Sequence, residues 1–316
     1  MAYSGSYDYS VTRDDIIKGA LRTIGIIKRG TVPPTVDVTD VAQALNLMIK
    51  AWQAEGIGLW LNKMVTVFLQ DATQAYDMSA ASGHHTTSYV ATTLDADAES
   101  GDLTIEVASA TGIASAYYIA VMLDDGTLQW TTVNGAPSDT TVTLAAALTD
   151  DASSGNAVFC YQTKAQKPMQ ILGAWLRDSS GFDLPLQIVG RDEYEDIGDK
   201  DSEGAVSKVY YDPQLTTGKL YIWPSPDDAA SVVRLLAKYP AQDLDAATDT
   251  PDFPIEWAEA LKFNLALRIA PEFMDDVAED RMKYIVALAE NSLKSAMRFD
   301  AELGTSVYMT PDCTAR

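Results

Sequence analysis

The chain has 316 residues, 47% of them hydrophobic and 22% charged, with a net charge of −22. That length and balance suit one large globular domain or two ordinary ones and exclude a disordered chain. Acidity on this scale also excludes tight wrapping of nucleic acid, which needs Lys and Arg to displace counterions, but leaves open an acidic wall past which DNA slides.

The start, MAYSGSYDYS, has no basic region and no apolar run, so it does not read as a signal peptide; it carries Tyr3, Tyr7 and Tyr9 instead. Thr12, followed three residues later by Asp15, predicts a capped helix whose apolar face is Ile16, Ile17, Ala20, Leu21 and Ile24, ended by Gly25. After Pro33-Pro34 a second helix is expected, opened by Asp37 or Thr39, with Val41, Leu45, Met48, Ile49 and Trp52 on its buried face. Gly56 and Gly58 turn the chain sharply, and Leu59, Trp60 and Leu61 are expected to begin an extended run through KMVTVFLQ.

From about residue 82 to 162 the composition shifts to Ala, Thr, Ser, Asp and Gly, with few basic residues. Short strand-like runs alternate there with turn signals such as Asp125-Gly126, Asn134-Gly135 and Ser154-Gly155, which predicts a small all-β insert. The most apolar window in the chain, IAVML, is far shorter than the ~20 residues of a membrane-spanning helix. Beyond Pro168, QILGAWLRD, LPLQIVG, YYDPQLTTGKLYIW and VVRLLAKYP read as strands, with Pro224 and Pro226 closing the third. Trp257, Leu261, Leu265 and Ile269 then form a helical stripe, and a last helix is expected from about Asp276 to Asp300.

The fold class expected from this reading is α+β: a helical core of about four main helices with β-strand elements, plus an inserted small all-β domain. The main domain would be discontinuous, over residues 1–81 and 163–301, with the insert at 82–162 and a C-terminal tail at 302–316.

Catalytic signatures are scarce. The sequence has no phosphate-binding glycine loop, no dinucleotide fingerprint, no nucleophile elbow and no zinc-protease helix. Its two cysteines, Cys160 and Cys313, give neither a disulfide framework nor a zinc spacing and fit a reducing cytoplasm. His84 and His85 are adjacent in a Ser/Thr-rich stretch, which predicts a solvent-exposed linker. The acidic runs DKDSEG and DADAES resemble calcium loops, but the first has Tyr210 at the twelfth position and the second Ser100 at the sixth; both read as solvated turns. No cofactor or metal is expected. The densest acidic cluster, RDEYEDIGD, reads as a short surface helix, with Glu193 and Glu195 as the carboxylates a glycan-cleaving site would use. Trp52, Trp60, Trp223 and Trp257 are expected as core or interface aromatics.

The ordered set ALNLMIKAWQAEGIGLWL, YYDPQLTTGKLYIWPSPD and FPIEWAEALKFNLALRIAPEF resembles the head-to-tail adaptor family of short-tailed bacteriophages, also called tail accessory or connector proteins. The matching segments lie at about 12–78 and 168–300. The resemblance implies a virion structural protein without catalysis, made in the host cytoplasm and located at the head-to-tail interface of the virion. Such proteins form a ring, typically of twelve copies, that joins the portal to the tail and continues the DNA channel. The implied partners are further copies of the chain, the portal, and tail nozzle, tail fibre or tailspike proteins; DNA would pass without sequence-specific binding, and no membrane is involved. Val307, Tyr308, Met309 and Pro311 in the tail would dock on the portal, as C-terminal extensions of the family do. The alternative is a carbohydrate-binding or glycan-cleaving phage protein that uses an acidic pair.

Overall fold

The structure, a computed structural model, describes residues 9–28, 30–276 and 279–300. The chain divides into two compact units: residues 1–61 with 240–316, and residues 62–239.

The first unit is helical. Helix α1 (Arg13–Ile24) starts in a capping box: the Thr12 hydroxyl accepts from the Asp15 N–H, and the Asp15 carboxylate accepts from the Thr12 N–H, each at 3.3 Å. It stops at Gly25, whose φ of 97° is a conformation glycine adopts without a Cβ clash. Arg281 donates to the Ile24 carbonyl at 3.1 Å, satisfying an acceptor that the helix end leaves open. Helix α2 (Thr35–Ala54) follows Pro34. The chain returns to this unit after residue 239. There the Asn46 side chain holds the backbone of Leu244 by two bonds, donating at 3.3 Å and accepting at 3.0 Å. The apolar faces of α1 and α2 share one core with Leu261, Leu265 and Ile269 of the helix Ala258–Ile269 and with Ile285 and Ala296 of the helix Glu279–Phe299.

The second unit is built from strands and one short helix, α3 (Arg191–Glu195), so the two C-terminal helices are α4 and α5. Strands β1 (Asn62–Phe68), β2 (Ala75–Met78), β3 (His85–Thr86), β4 (Val90–Thr93), β5 (Thr104–Glu106), β6 (Tyr118–Met122), β7 (Leu128–Thr132), β8 (Thr141–Thr143) and β9 (Ala157–Tyr161) precede α3 in that order. Strands β10 (Gln170–Arg177), β11 (Asp183–Pro185) and β12 (Gln187–Ile188) complete the first part, and β13 (Lys208–Asp212), β14 (Gly218–Trp223) and β15 (Val232–Lys238) follow the helix.

A five-stranded sheet, β11-β10-β15-β1-β3, packs on a four-stranded one, β12-β13-β14-β2. Between them Val65, Val67, Val233 and Leu235 meet Val209, Leu220 and Ile222. Alternation explains the layer: along β14, Leu220 and Ile222 are fully buried while Tyr221 and Trp223 on the opposite face are half-buried. The central pair β1·β15 runs antiparallel from Asn62↔Lys238 to Phe68↔Val232.

Residues 90–161 carry a further four-stranded sheet, β4-β9-β6-β7, and the ribbon β5-β8; among the described residues these strands pair only with one another. Their own core includes Ile105, Val107, Ile119, Val121, Val142 and Val158. A second cluster, with Phe68 and Val232 from the two-sheet body and Phe159 and Tyr161 from β9, joins them to that body.

The expected α+β arrangement, a helical core elaborated by strands and a small β insert, is overturned. Among the described residues fifteen strands in four sheets dominate, beside four helices longer than one turn and a half. The strands at 62–78 and 170–238 are not accessories of the helices. They close on each other over long sequence distances and bury a two-layer core of their own. A smaller correction concerns Leu59–Leu61, which form a 3-10 turn, so that the extended run begins at Asn62.

Candidate functional site: aromatic anchors

Trp52, Trp60 and Trp257, three of the four predicted anchors, meet in the helical unit. With Phe253 they form a four-ring cluster whose pairs are 4.9–6.5 Å apart, centroid to centroid, and tilted or edge-on rather than stacked. Trp257 is wholly buried, and its Nε1–H finds no acceptor among the described residues. Trp60 is half-buried, and its Nε1–H donates to the Asp252 carbonyl at 2.7 Å. The Gly56-Ile57-Gly58 turn makes this possible: Gly56 and Gly58 take φ of 92° and 117°, which reverses the chain and lays Trp60 over Trp257. Sequence reading missed Phe253, which sits before Pro254 with no periodic pattern around it.

Trp223 lies apart, on the outer face of the second sheet. Its Nε1–H donates to the Asp199 carbonyl at 2.8 Å, and the Lys208 ammonium stands 5.9 Å from its ring. Beside it Tyr194, Tyr210 and Tyr221 pack with centroids 5.5–5.6 Å apart. Glu193 and Glu195 flank this cluster on α3. Two residues apart on a helix, they point to different sides. Each is matched to a lysine, Glu193 to Lys208 at 3.3 Å and Glu195 to Lys200 at 3.0 Å.

The histidines are not in a solvent-exposed linker. His85 is fully buried: its Nε2–H donates to the Gln166 carbonyl at 3.3 Å, and Nδ1 has no partner among the described residues. His84 stacks on Trp130 at 3.9 Å and shares a 2.8 Å hydrogen bond with the Tyr161 hydroxyl. Burial, reinforced by the nearby charge of Lys164, pushes both imidazoles down to about 4. The Ser/Thr-rich context hid this, because the rings around His84, Tyr118, Trp130 and Tyr161, come from β6, β7 and β9, far along the chain. Phe68 completes the joint, stacked on Tyr161 at 5.7 Å and packed against Phe159 and Trp130 at 5.1 Å each. Burial also raises the Cys160 thiol to about 11, which makes it inert as a nucleophile at neutral pH.

The carboxylates of the two calcium-like runs are engaged by protein donors: in DKDSEG, Asp201 accepts from the Gln74 side-chain amide at 3.0 Å. Asp97 accepts from the Ser154 N–H at 2.8 Å, and Glu106 accepts from the Thr140 and Thr141 hydroxyls at 3.0 and 2.6 Å. Among the described residues no group of three or more His, Cys, Asp or Glu is placed to hold a metal ion. Nor is any described helix long and apolar enough to cross a membrane. The predicted docking residues Val307, Tyr308, Met309 and Pro311 lie outside the described residues.

No protein-family model matches the chain. No curated protein matches it. Among solved structures it is similar to the Gp54 tailspike of Acinetobacter baumannii bacteriophage AP22, a structure in complex with A. baumannii capsular saccharide, with 19% identity and a TM-score of 0.20. The match covers 23% of this chain and 14% of the tailspike, and at that score it carries no statement about fold or function here.

Proposed function

We propose that the chain is a bacteriophage structural subunit that assembles with copies of itself into a ring, of twelve copies by resemblance in its sequence motifs, joining the portal to the tail and continuing the DNA channel. The observation that carries the reading is the aromatic cluster. Two of the three segments that resemble the adaptor family, ALNLMIKAWQAEGIGLWL and FPIEWAEALKFNLALRIAPEF, are about 190 residues apart, yet Trp52 and Trp60 of one interlock with Phe253 and Trp257 of the other. The resemblance therefore falls on residues that fold together rather than on scattered packing positions.

Helix α5 supplies a surface suited to contacts between copies. At 100° per residue, Tyr284, Leu288, Ser295 and Phe299 share a face whose one charged member is Arg281, which donates to the Ile24 carbonyl. Tyr284 is 66% exposed and Phe299 59%. Lys283, Glu290, Lys294 and Arg298 stand on the neighbouring strip, with Lys294 and Glu290 paired at 3.4 Å. A head-to-tail contact through such a face closes into a ring when its rotation allows. The ring would be a virion component without catalysis, touching tail nozzle, fibre or tailspike proteins on its outer side.

The test is to mix purified chain with portal rings and examine the product by mass measurement and electron microscopy. A closed ring seated on the portal is expected, and Tyr284→Asp with Phe299→Asp should abolish it while leaving the melting temperature of the subunit unchanged. A wild-type chain that stays monomeric beside the portal at micromolar concentration overturns the reading.

A further inference from the structure

A cleft of about 500 Å³ opens in the β unit where β4 and β9 face the turn after β10. Its apolar lining includes Phe159, Met122 and Val232, with the Tyr89 ring beside them. Its polar lining includes Thr92, Arg177, Asp178 and Ser179. None of these residues has a role in the proposed ring.

The rim is preorganised. Arg177 donates from Nε and Nη2 to the two Asp183 oxygens at 2.8 and 2.6 Å, and Arg234 donates to the same carboxylate at 3.2 Å. The Tyr89 hydroxyl accepts a further bond from Arg177, and these contacts, led by Asp183, raise the guanidinium pKa. A guanidinium carries five N–H donors, so some remain for a guest after its direction has been fixed from behind. Asp178 spends one oxygen on the Phe182 N–H at 2.9 Å and keeps the other as an acceptor. Tyr89 is fixed too, edge-on to Phe68 at 5.4 Å and to Phe159 at 6.2 Å.

A guest for such a site is flat, apolar on its face and rich in donors and acceptors at its edge. A pyranose ring has that form: its axial C–H bonds lie on the electron-rich face of an aromatic ring, and its equatorial hydroxyls reach the rim. The charge of the surroundings decides between neutral and anionic sugars. Residues 82–162, which supply Tyr89 and β4 to β9, contain ten Asp and Glu and no Lys or Arg. That field repels polyanions. We infer that this cleft binds a neutral saccharide, one or two pyranose rings deep, with Tyr89 as the stacking platform and Arg177, Asp178 and Ser179 as the hydroxyl-reading rim.

The inference stands apart from ring assembly and fails separately from it. Saturation-transfer NMR on the full chain would use trisaccharides of glucose, galactose, mannose, rhamnose and N-acetylglucosamine, with a galacturonate trimer as the anionic arm. Transfer to at least one neutral trisaccharide is expected. Tyr89→Phe should keep it, since the ring remains, and Tyr89→Ala should weaken binding at least tenfold. Ser179→Trp, on the exposed rim, blocks the cleft without touching the core and should give the same loss if Tyr89→Ala proves unstable. Transfer to none of the neutral probes, transfer to the galacturonate trimer alone, or undiminished binding by folded Ser179→Trp overturns the inference.

Discussion

His85 shows how one side chain ties stability to pH. Folded, it stays neutral down to about 4; in the unfolded chain it protonates near 6.5. Between those values the unfolded state binds more protons, so stability is full above about pH 6.5, falls as the pH drops toward 4, and levels below. The loss is on the order of 3 kcal/mol for this residue. Protonating Nδ1 would bury a charged N–H with no acceptor beside it among the described residues, which is the physical cause. His85→Gln should lessen the fall in urea-melt stability between pH 7 and 4, with His84, held at about the same value, keeping the rest; an unchanged slope would place the titrating group elsewhere. The indole cluster gives a second residue-scale expectation. Trp257→Ala should cost ~3–5 kcal/mol in chemical denaturation, because it empties the centre of the helical core. Trp60→Phe, which keeps a ring but loses the bond to the Asp252 carbonyl, should cost only about 1 kcal/mol.

Among the elements, those with local punctuation were legible and those made by distant pairing were not. Thr12, Asp15 and Gly25 mark both ends of α1, and Asp125-Gly126 marks the β6–β7 hairpin, because caps and turns are written in neighbouring residues. Nothing local says that β1 pairs with β15, or that β10 lies on the other side of β15. Each run could be read as a strand, but its partner could not, and the weight given to the helices followed from that. The anchors Trp52 and Trp257 were legible as apolar stations; their contact was not, and neither was the cover over the histidines. The strands of residues 90–161 allow a direct test of how far they fold by themselves. Replacing residues 88–162 by a short Gly/Ser linker should leave the two-sheet body folded, since Val65, Leu220 and Leu235 remain packed. It should also lower the melting temperature, because Phe68 and Val232 lose Phe159 and Tyr161. Far-UV circular dichroism on the shortened chain decides: loss of the sheet signal would mean that the joint is part of the main core.

For the molecule as a whole, charge sets the terms of association. Copies carrying −22 each repel one another, and salt shortens the range of that repulsion to about 8 Å at 0.15 M. Ring formation should therefore strengthen as ionic strength rises from 20 to 200 mM, the reverse of a DNA-binding protein; sedimentation at the two salt concentrations checks it. The paired ends of the β unit carry a different consequence, one of timing. Asn62 and Lys238 sit opposite each other on adjacent strands, and Val90 and Cys160 do the same one level further in. The fold is nested, each layer opening and closing at neighbouring ladder positions. A ribosome reads it from the outside in and then out again. Helices α1 and α2 emerge first, but α4, which completes their core, follows only after residues 62–239, roughly 9–36 s later at ~5–20 residues per second. During that interval Ile17, Leu21, Leu45 and Ile49 have no permanent cover, while the innermost strands, whose partners are already synthesised, can close. Helices α1 and α2 are thus made before the β unit and finished after it, and in that interval they are where the nascent chain needs chaperone protection.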